Sequence, residues 1–527
     1  MPTVEQPAND SAIEITISEI TTEPEELAVM AKIVVKNGIP AQDDKLPDRL
    51  EAQTIAVGQA LMREYYRLIM ERADRELILS VRDGAAGEGI RRMGTRRYTI
   101  KTRFGTVVIK RIRIQHKADG ITEIASHRVW RTPKQRLITA GLKSAVCQQV
   151  VKKSFSSTVR QLENDSGEVK LLSKSTVGNI LHAAGEGLAK AAQQRAATIY
   201  QTNDRAKELL GRADAHLGED YFEAVWLKGK EITEEELPEL LDEIEWDARE
   251  LRQTDREASK PASSAPSSAT NNNNVTTSRE LIIVEPDEVV VRSQEEGREW
   301  LINYSAVVST VKACHYFTAQ TSTQLWYQVA GLLAQLQEAA NESRLLLLSD
   351  GARWIRYWFE GLGIANKESV MCAYHMQQRC WRLIREASKN RADRLIIYRA
   401  LMKYLWRGEV ADAREYLKEL ITLVEDGISE IVIENVASLE KIREYLLNRA
   451  AHMPNYLARL RGGERIANTK VEKFNDWSVS VRCKKQNGMR WSSAGVSAIA
   501  ALEAARRNGE LKVWREQGKL PTWQRAA

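Results

Sequence analysis

Apolar residues recur at helical spacing over residues 51–83 (EAQTIAVGQALMREYYRLIMERADRELILSVRD), which predicts one or two amphipathic helices. The period then changes. In GIRRMGTRRYTIKTRFGTVVIKRIRIQHKADG, Tyr98, Ile100, Thr102 and Phe104 alternate with polar or charged residues, as Ile112 and Ile114 do with Arg111 and Arg113. Phe104-Gly105-Thr106 interrupts the run, and the whole predicts a β-hairpin with a basic outer face. From Pro133 to about Lys190 the helical period returns. SFSSTVRQLENDSGEVKLLSKSTVGNILHAAGEGL reads as a helix, an Asn-Asp-Ser-Gly turn and a second helix capped by Ser173 and opening Lys174-Ser175-Thr176-Val177, the layout of a helix-turn-helix.

Residues 258–278 (ASKPASSAPSSATNNNNVTTS) lack apolar periodicity and read as a flexible linker, after which a new folding unit is expected. That unit opens on the strand RELIIVEPDEVVVRSQ, continues with one or two strands in REWLINYSAVVSTVKACHYFTA and a helix in TQLWYQVAGLLAQLQEAANES, and reaches RLLLLSDGARWIRYWFEGL, a strand ending in Asp-Gly followed by a helix. The run Leu345–Leu348 predicts a strand covered on both faces. Strand, strand, helix, strand, helix is mixed α/β order. Residues 375–456 are almost continuously helical and read as an insertion into the α/β unit. The expected organisation is a loose tail over 1–50, helices plus basic hairpin over 51–130, and a helix-turn-helix region over 131–200. An acidic helical segment over 201–257 and the linker over 258–279 follow, then a core over 280–374, its helical insertion, and the rest of the core over 457–527.

With 527 residues the chain is long enough for several domains with full cores. Its 43% hydrophobic and 28% charged residues exclude a wholly disordered, collagen-like or disulfide-stapled chain. Five scattered cysteines point to a reducing cytoplasmic compartment, and no stretch is apolar enough to predict a signal peptide or membrane span. The net charge of +6 conceals two blocks. Residues 91–160 hold 18 Lys/Arg against 2 Asp/Glu, and residues 219–257 hold 5 against 15. The first suits a polyanion, and the second is a solvated acidic face or a segment of unassigned role.

Three acids sit where chemistry collects. Asp287, in VEPDEVVV, is either a ligand beside a buried strand or an exposed turn acid after Pro286. Asp350 follows LLLLS at a strand's carboxyl end, where α/β sheets gather their sites, and is also a natural turn acid and cap for the next helix. Glu472, in ANTKVEKFNDWSVSVRCKKQNGMRWS, opens an amphipathic helix amid Lys470, Lys473, Arg482, Lys484, Lys485 and Arg490, with Trp477 and Trp491 close by. Cations among aromatics suit a phosphate backbone and unstacked bases, or else a basic helix with two core tryptophans. Two Asp and one Glu are the donors of a two-Mg²⁺ phosphodiester centre. Asp214 and Asp220 are rivals for the first position, without a strong strand beside them. Cys372 and His375 read as core and satisfied polar residues by themselves; no second ligand pair suits zinc.

VEPDEVVVRSQ, LLLLSDGARWI, MCAYHMQQRCW and the segment from YLLNRAAHMPNY to NGMRWS together resemble the DDE transposases of bacterial insertion sequences, in the broad Mutator-like group. The resemblance covers residues 281–520, with a weaker match over 94–190, and its separations of 63 and 122 residues between Asp287, Asp350 and Glu472 fit the group. It implies a ribonuclease-H-like core split by helices, with Asp287, Asp350 and Glu472 as catalytic ligands of Mg²⁺, or Mn²⁺ as an alternative ion. It gives Cys372 and His375 accessory places in contacting DNA or arranging the site. It implies binding of inverted repeats and target, both double-stranded DNA, then cleavage and strand transfer by a homodimer or higher oligomer at the nucleoid, with no membrane partner. The expected DNA contacts are Arg96, Arg97, Lys101, Arg103, Lys110, Arg111 and Arg113 for the hairpin and Lys174, Ser175 and Thr176 for the reading helix. Lys473, Arg482, Lys484, Lys485 and Arg490 are expected to contact DNA near the catalytic Glu. A metal-dependent nuclease without joining and a domesticated transposase kept as a DNA-binding protein are the alternatives.

Overall fold

The computed structural model describes residues 13–19, 29–35, 46–83, 89–117, 120–124, 126–127, 136–210, 281–339, 343–485, 489–521 and 523. The acidic block, the linker and the rivals Asp214 and Asp220 lie outside the described residues. The fold is mixed α/β, and the chain divides into two compact units, Met1–Ala184 and Gly185–Ala527.

In the first unit, β1 (Ile13–Glu19) and β2 (Val29–Val35) pair antiparallel, so the stretch read as a loose tail contains a hairpin. The reason is local: IEITISE and VMAKIVV are rich in β-branched residues. Helix α1 (Leu46–Asp83) is one continuous helix, supported by pairs such as Arg67–Glu71 and Arg72–Glu76. The basic hairpin consists of β3 (Ile90–Thr102) and β4 (Gly105–His116). With β5 (Thr122–Ile124) and β6 (Arg136–Ile138) it forms a four-stranded sheet in the order β5-β4-β3-β6. Tyr98, Ile100, Val107 and Ile109 pack with Tyr66 and Met70 of α1. Gly105 turns the hairpin at φ 117°, beside Arg63 and Glu168, where a β-carbon would collide. Helices α2 (Ala140–Val150), α3 (Phe155–Ser166) and α4 (Lys174–Thr202) follow. Gly167 ends α3 in the left-handed conformation, and the Ser173 hydroxyl accepts from the Thr176 N–H at 3.1 Å to cap α4. The connection Gly167–Ser173 is longer than a minimal helix-turn-helix turn.

The second unit begins inside α4, upstream of the linker rather than after it. Ala196 and Ile199 of α4, with Ala206 and Leu209 of α5 (Asp204–Leu210), are buried against one face of a five-stranded sheet. Its strands are β7 (Leu281–Arg292), β8 (Trp300–Ser309), β9 (Cys314–Ala319), β10 (Arg344–Ser349) and β11 (Lys367–Met371), in the order β11-β10-β7-β8-β9. β10 and β11 run parallel to β7; β8 is antiparallel to both its neighbours. Helix α6 (Ser322–Ala339) precedes β10, and α7 (Arg353–Gly361) follows it.

The Leu345–Leu348 run splits by strand alternation. Leu345 and Leu347 join Trp326 of α6 and Trp354 of α7 on one face. Leu346 and Leu348 join Met376, Tyr398 and Leu446 on the other. Burying each such leucine contributes about 1.5–3 kcal/mol. The second face is covered by the helical insertion: α8 (Ala373–Ala387), α9 (Arg391–Leu405), α10 (Val410–Glu425), α11 (Val436–Leu447) and α12 (Tyr456–Arg461). An ion-pair ring ties insertion to sheet. Arg344 of β10 and Arg459 of α12 both pair with Glu368 of β11 and with Glu464, the contacts to Glu464 being 3.2 and 2.7 Å. The chain then returns through α13 (Thr469–Asn475), a π-helical stretch Asp476–Lys484, α14 (Ser493–Arg507) and α15 (Leu511–Gln517). Among the described residues no helix is long and apolar enough to cross a membrane.

Candidate active site

The register of the sheet sets the first two acids side by side. Arg344 faces Leu281 and Leu347 faces Val284, so the same offset carried to Asp350 sets it opposite Asp287. Neighbouring strands lie about 4.8 Å apart. The next pairing, Ser349 with Met371, extends the row to Cys372, whose N–H donates to the Ser349 carbonyl at 2.7 Å. Pro286 lies past the last rung to β10, where its missing N–H interrupts no ladder on that side. Asp350 stands just after β10. Its Oδ1 accepts from the Ala352 N–H at 2.8 Å, and Gly351 at φ 75° makes the sharp turn into α7.

Glu472 comes to the same row from α13, which lies over β7 and β8. Val471 and Phe474 bury against Val307. Asn475, one turn beyond Glu472, donates from Nδ2 to Asp287 Oδ2 at 2.7 Å. His375, in the first turn of α8 after Cys372, sits 3.0 Å from Glu472 Oε1 through Nε2. The five residues singled out in the second unit (Asp287, Asp350, Glu472, Cys372 and His375) therefore gather around the carboxyl end of β10, beside the central strand β7.

Their charges interact. Burial raises the Asp287 carboxyl well above the usual carboxylate range, and the negative charges of Glu472 and Asp350 push it further. Burial disfavours the His375 imidazolium, but Cys372 and Glu472 outweigh it and hold the ring well above the ordinary histidine value. Each acid keeps a protein partner in this arrangement, and among the described residues no three His, Cys, Asp or Glu side chains form a ready metal cage.

The basic residues divide. Arg96, Arg97, Arg103, Lys110 and Arg113 of the hairpin are exposed, as are Lys174 and Ser175; Thr176 is half-buried. Arg111 corrects the outward reading. Only 2% exposed, it lies over the Tyr98 ring at 5.1 Å, with Asp74 of α1 as its counter-charge. Lys101 is also engaged, its ammonium donating to the Leu171 carbonyl. In the second unit Lys473, Lys484, Lys485 and Arg490 are exposed, with Lys485 paired to Asp476 at 2.7 Å. Arg482 is a second correction: fully buried, it stacks over Trp491 at 4.8 Å. Trp477 is exposed and Trp491 is core.

Sequence reasoning missed two residues. Asn475, noted only as part of a motif, holds Asp287. Glu285, present only as a letter of VEPDEVVV, is fully buried. The signal for both was periodicity: Glu285 shares a strand face with Asp287, and Asn475 a helix face with Glu472. Compared with known protein families, with curated proteins and with solved structures, the chain matches none.

Proposed function

We propose that the chain is a DDE-type DNA transposase, binding element ends through its basic first unit and cutting and joining DNA at the carboxylate row of the second. The observation that carries this reading is the meeting of Asp287, Asp350 and Glu472 beside the neighbouring strands β7 and β10, from three distant stretches of chain, where burial and then the charges of Glu472 and Asp350 raise Asp287. The strand order, with β8 alone reversed, and the helices inserted between β11 and α13 support a ribonuclease-H-like core split as the resemblance implies.

The residues fit a hard divalent cation. Carboxylate oxygens are its preferred donors, like charges crowd Asp287, and the buried Asn475 Oδ1 beside it has no hydrogen-bond partner among the described residues. Asp287, Asp350 and Glu472 would hold Mg²⁺ or Mn²⁺, which when bound supplies charge stabilisation to the attacking and leaving oxygens of a phosphodiester displacement. His375 steadies Glu472 and Asn475 orients Asp287, so the acids are aimed before substrate arrives. Exposed Lys473, Lys484, Arg490 and Trp477 offer phosphate contacts and a stacking face in the same unit. Handling two element ends together calls for two or more copies of the chain.

The test is cleavage of duplex DNA carrying the element's inverted repeats in Mg²⁺. Wild type is expected to release 3′-hydroxyl ends and join them to target, while Asp350→Ala binds the same DNA and leaves it uncut. Cleavage by Asp350→Ala would show the site to be misassigned. Cutting without joined products would favour a simple nuclease, and binding without cutting a DNA-binding protein.

A further inference from the structure

Glu285 is a fully buried carboxylate, and its bonds all go to one short segment. Oε1 pairs with the Arg465 guanidinium; Oε2 accepts from the Lys470 N–H at 2.8 Å and the Val471 N–H at 3.4 Å. Arg465 in turn donates to the Ala467 carbonyl at 3.3 Å and the Thr469 hydroxyl at 3.2 Å, bracing the approach to α13. Glu285 and Asp287 are two apart on β7 and look to the same side. Helix α13 is therefore pinned twice to one strand, at its first turn by Glu285 and at its last by Asn475 on Asp287. Glu472 lies between the two pins. Val471 and Phe474 hold the helix down against β8, but apolar contact alone is non-directional and leaves its slide along β7 free.

We propose that Glu285 is a positioning residue that sets the distance of Glu472 from Asp287, an inference that rests on reading these acids as the metal centre. Loss of a hydrogen-bonding partner behind a ligand typically costs roughly 10–100-fold in metal affinity or activity. Glu285→Gln keeps an acceptor for the two amides and loses the charge facing Arg465, whereas Glu285→Leu keeps bulk and loses both.

The experiment titrates Mn²⁺ into the full chain by calorimetry without DNA, measures kcat and KM on end DNA, and follows exchange of the Lys470 and Val471 amides. Glu285→Leu is expected to lose roughly 10–100-fold in Mn²⁺ affinity and in kcat with KM unchanged, and to exchange both amides faster. Glu285→Gln is expected to recover most of each loss. A folded Glu285→Leu with wild-type Mn²⁺ affinity, kcat and amide protection overturns the inference. Should Glu285→Leu not fold, Glu285→Met takes its place, and wild-type Mn²⁺ affinity and amide protection in it overturn the inference equally. Failure of wild type itself to bind Mn²⁺ or cut sinks the metal-centre reading instead. The amide exchange still decides whether Glu285 pins the helix.

Discussion

The carboxyl of Asp287 titrates against its own fold. Burial, Glu472 and Asp350 raise it, so the folded chain keeps a proton that the unfolded chain has released. Stability of the metal-free protein is thus full below the unfolded carboxylate value and falls as pH rises toward the raised folded value. Each pH unit of that displacement is about 1.4 kcal/mol. Asp287→Asn removes the charge and keeps an oxygen for Asn475, so in EDTA at pH 8 it should melt higher than wild type, with the gap closing toward pH 4. Calorimetric melting across that range checks this, and an equal or lower melting temperature at pH 8 contradicts it. At this scale Asp350 and Ser173 were legible, because a strand-end acid and a helix cap are local chemistry. Arg111 was not: its placement depends on Asp74, whose Oδ2 also accepts the Ile112 N–H at 2.8 Å, from a helix well upstream. Period two alone sent Arg111 to the surface, and a long-range counter-charge reversed it.

The helical insertion is held to the sheet by apolar packing and by the ring Arg344, Glu368, Arg459, Glu464. Arg459 is the member that belongs to the insertion. Arg459→Ala should cost roughly 1.5–3 kcal/mol, read as a lower urea midpoint at unchanged slope. A midpoint equal to wild type would mean that Arg344 alone satisfies both glutamates. Element types were largely readable from the sequence. The hairpin, the capped helix α4, the leucine strand and the helices α8–α11 follow from periods of two and 3.6 and from turn residues. What periodicity did not reveal was membership. The later half of α4 and α5 belongs to the sheet's core, and only the complementary face of Ile282, Val284 and Trp326 identifies where those apolar residues go.

Across the whole molecule, part of the charge surplus of residues 91–160 lies on the hairpin's exposed side chains. If they meet phosphates, replacing Arg96, Arg97, Arg103, Lys110 or Arg113 singly by Ala should weaken binding of any duplex and flatten the log affinity–log salt slope by about 1 each. Arg111→Ala should instead lower the melting temperature, since it leaves Asp74 buried without its counter-charge. Fluorescence anisotropy at several salt concentrations separates the two groups; an unchanged slope in all five exposed variants would remove the hairpin from the DNA interface.

The bonds of Glu285 also set a schedule. On a chain made from its N-terminus, β7 and β10 emerge before the helical insertion, while Arg465 and the amides of Lys470 and Val471 come only after all of it. Until then the Glu285 carboxylate has none of its partners, and Glu472 does not exist. Contacts of such sequence separation form slowly and late. A ribosome-bound or truncated chain ending before residue 465 therefore carries two of the three acids and lacks both the third and the clamp that aims it. The first unit, Met1–Ala184, is complete long before Glu472 is made.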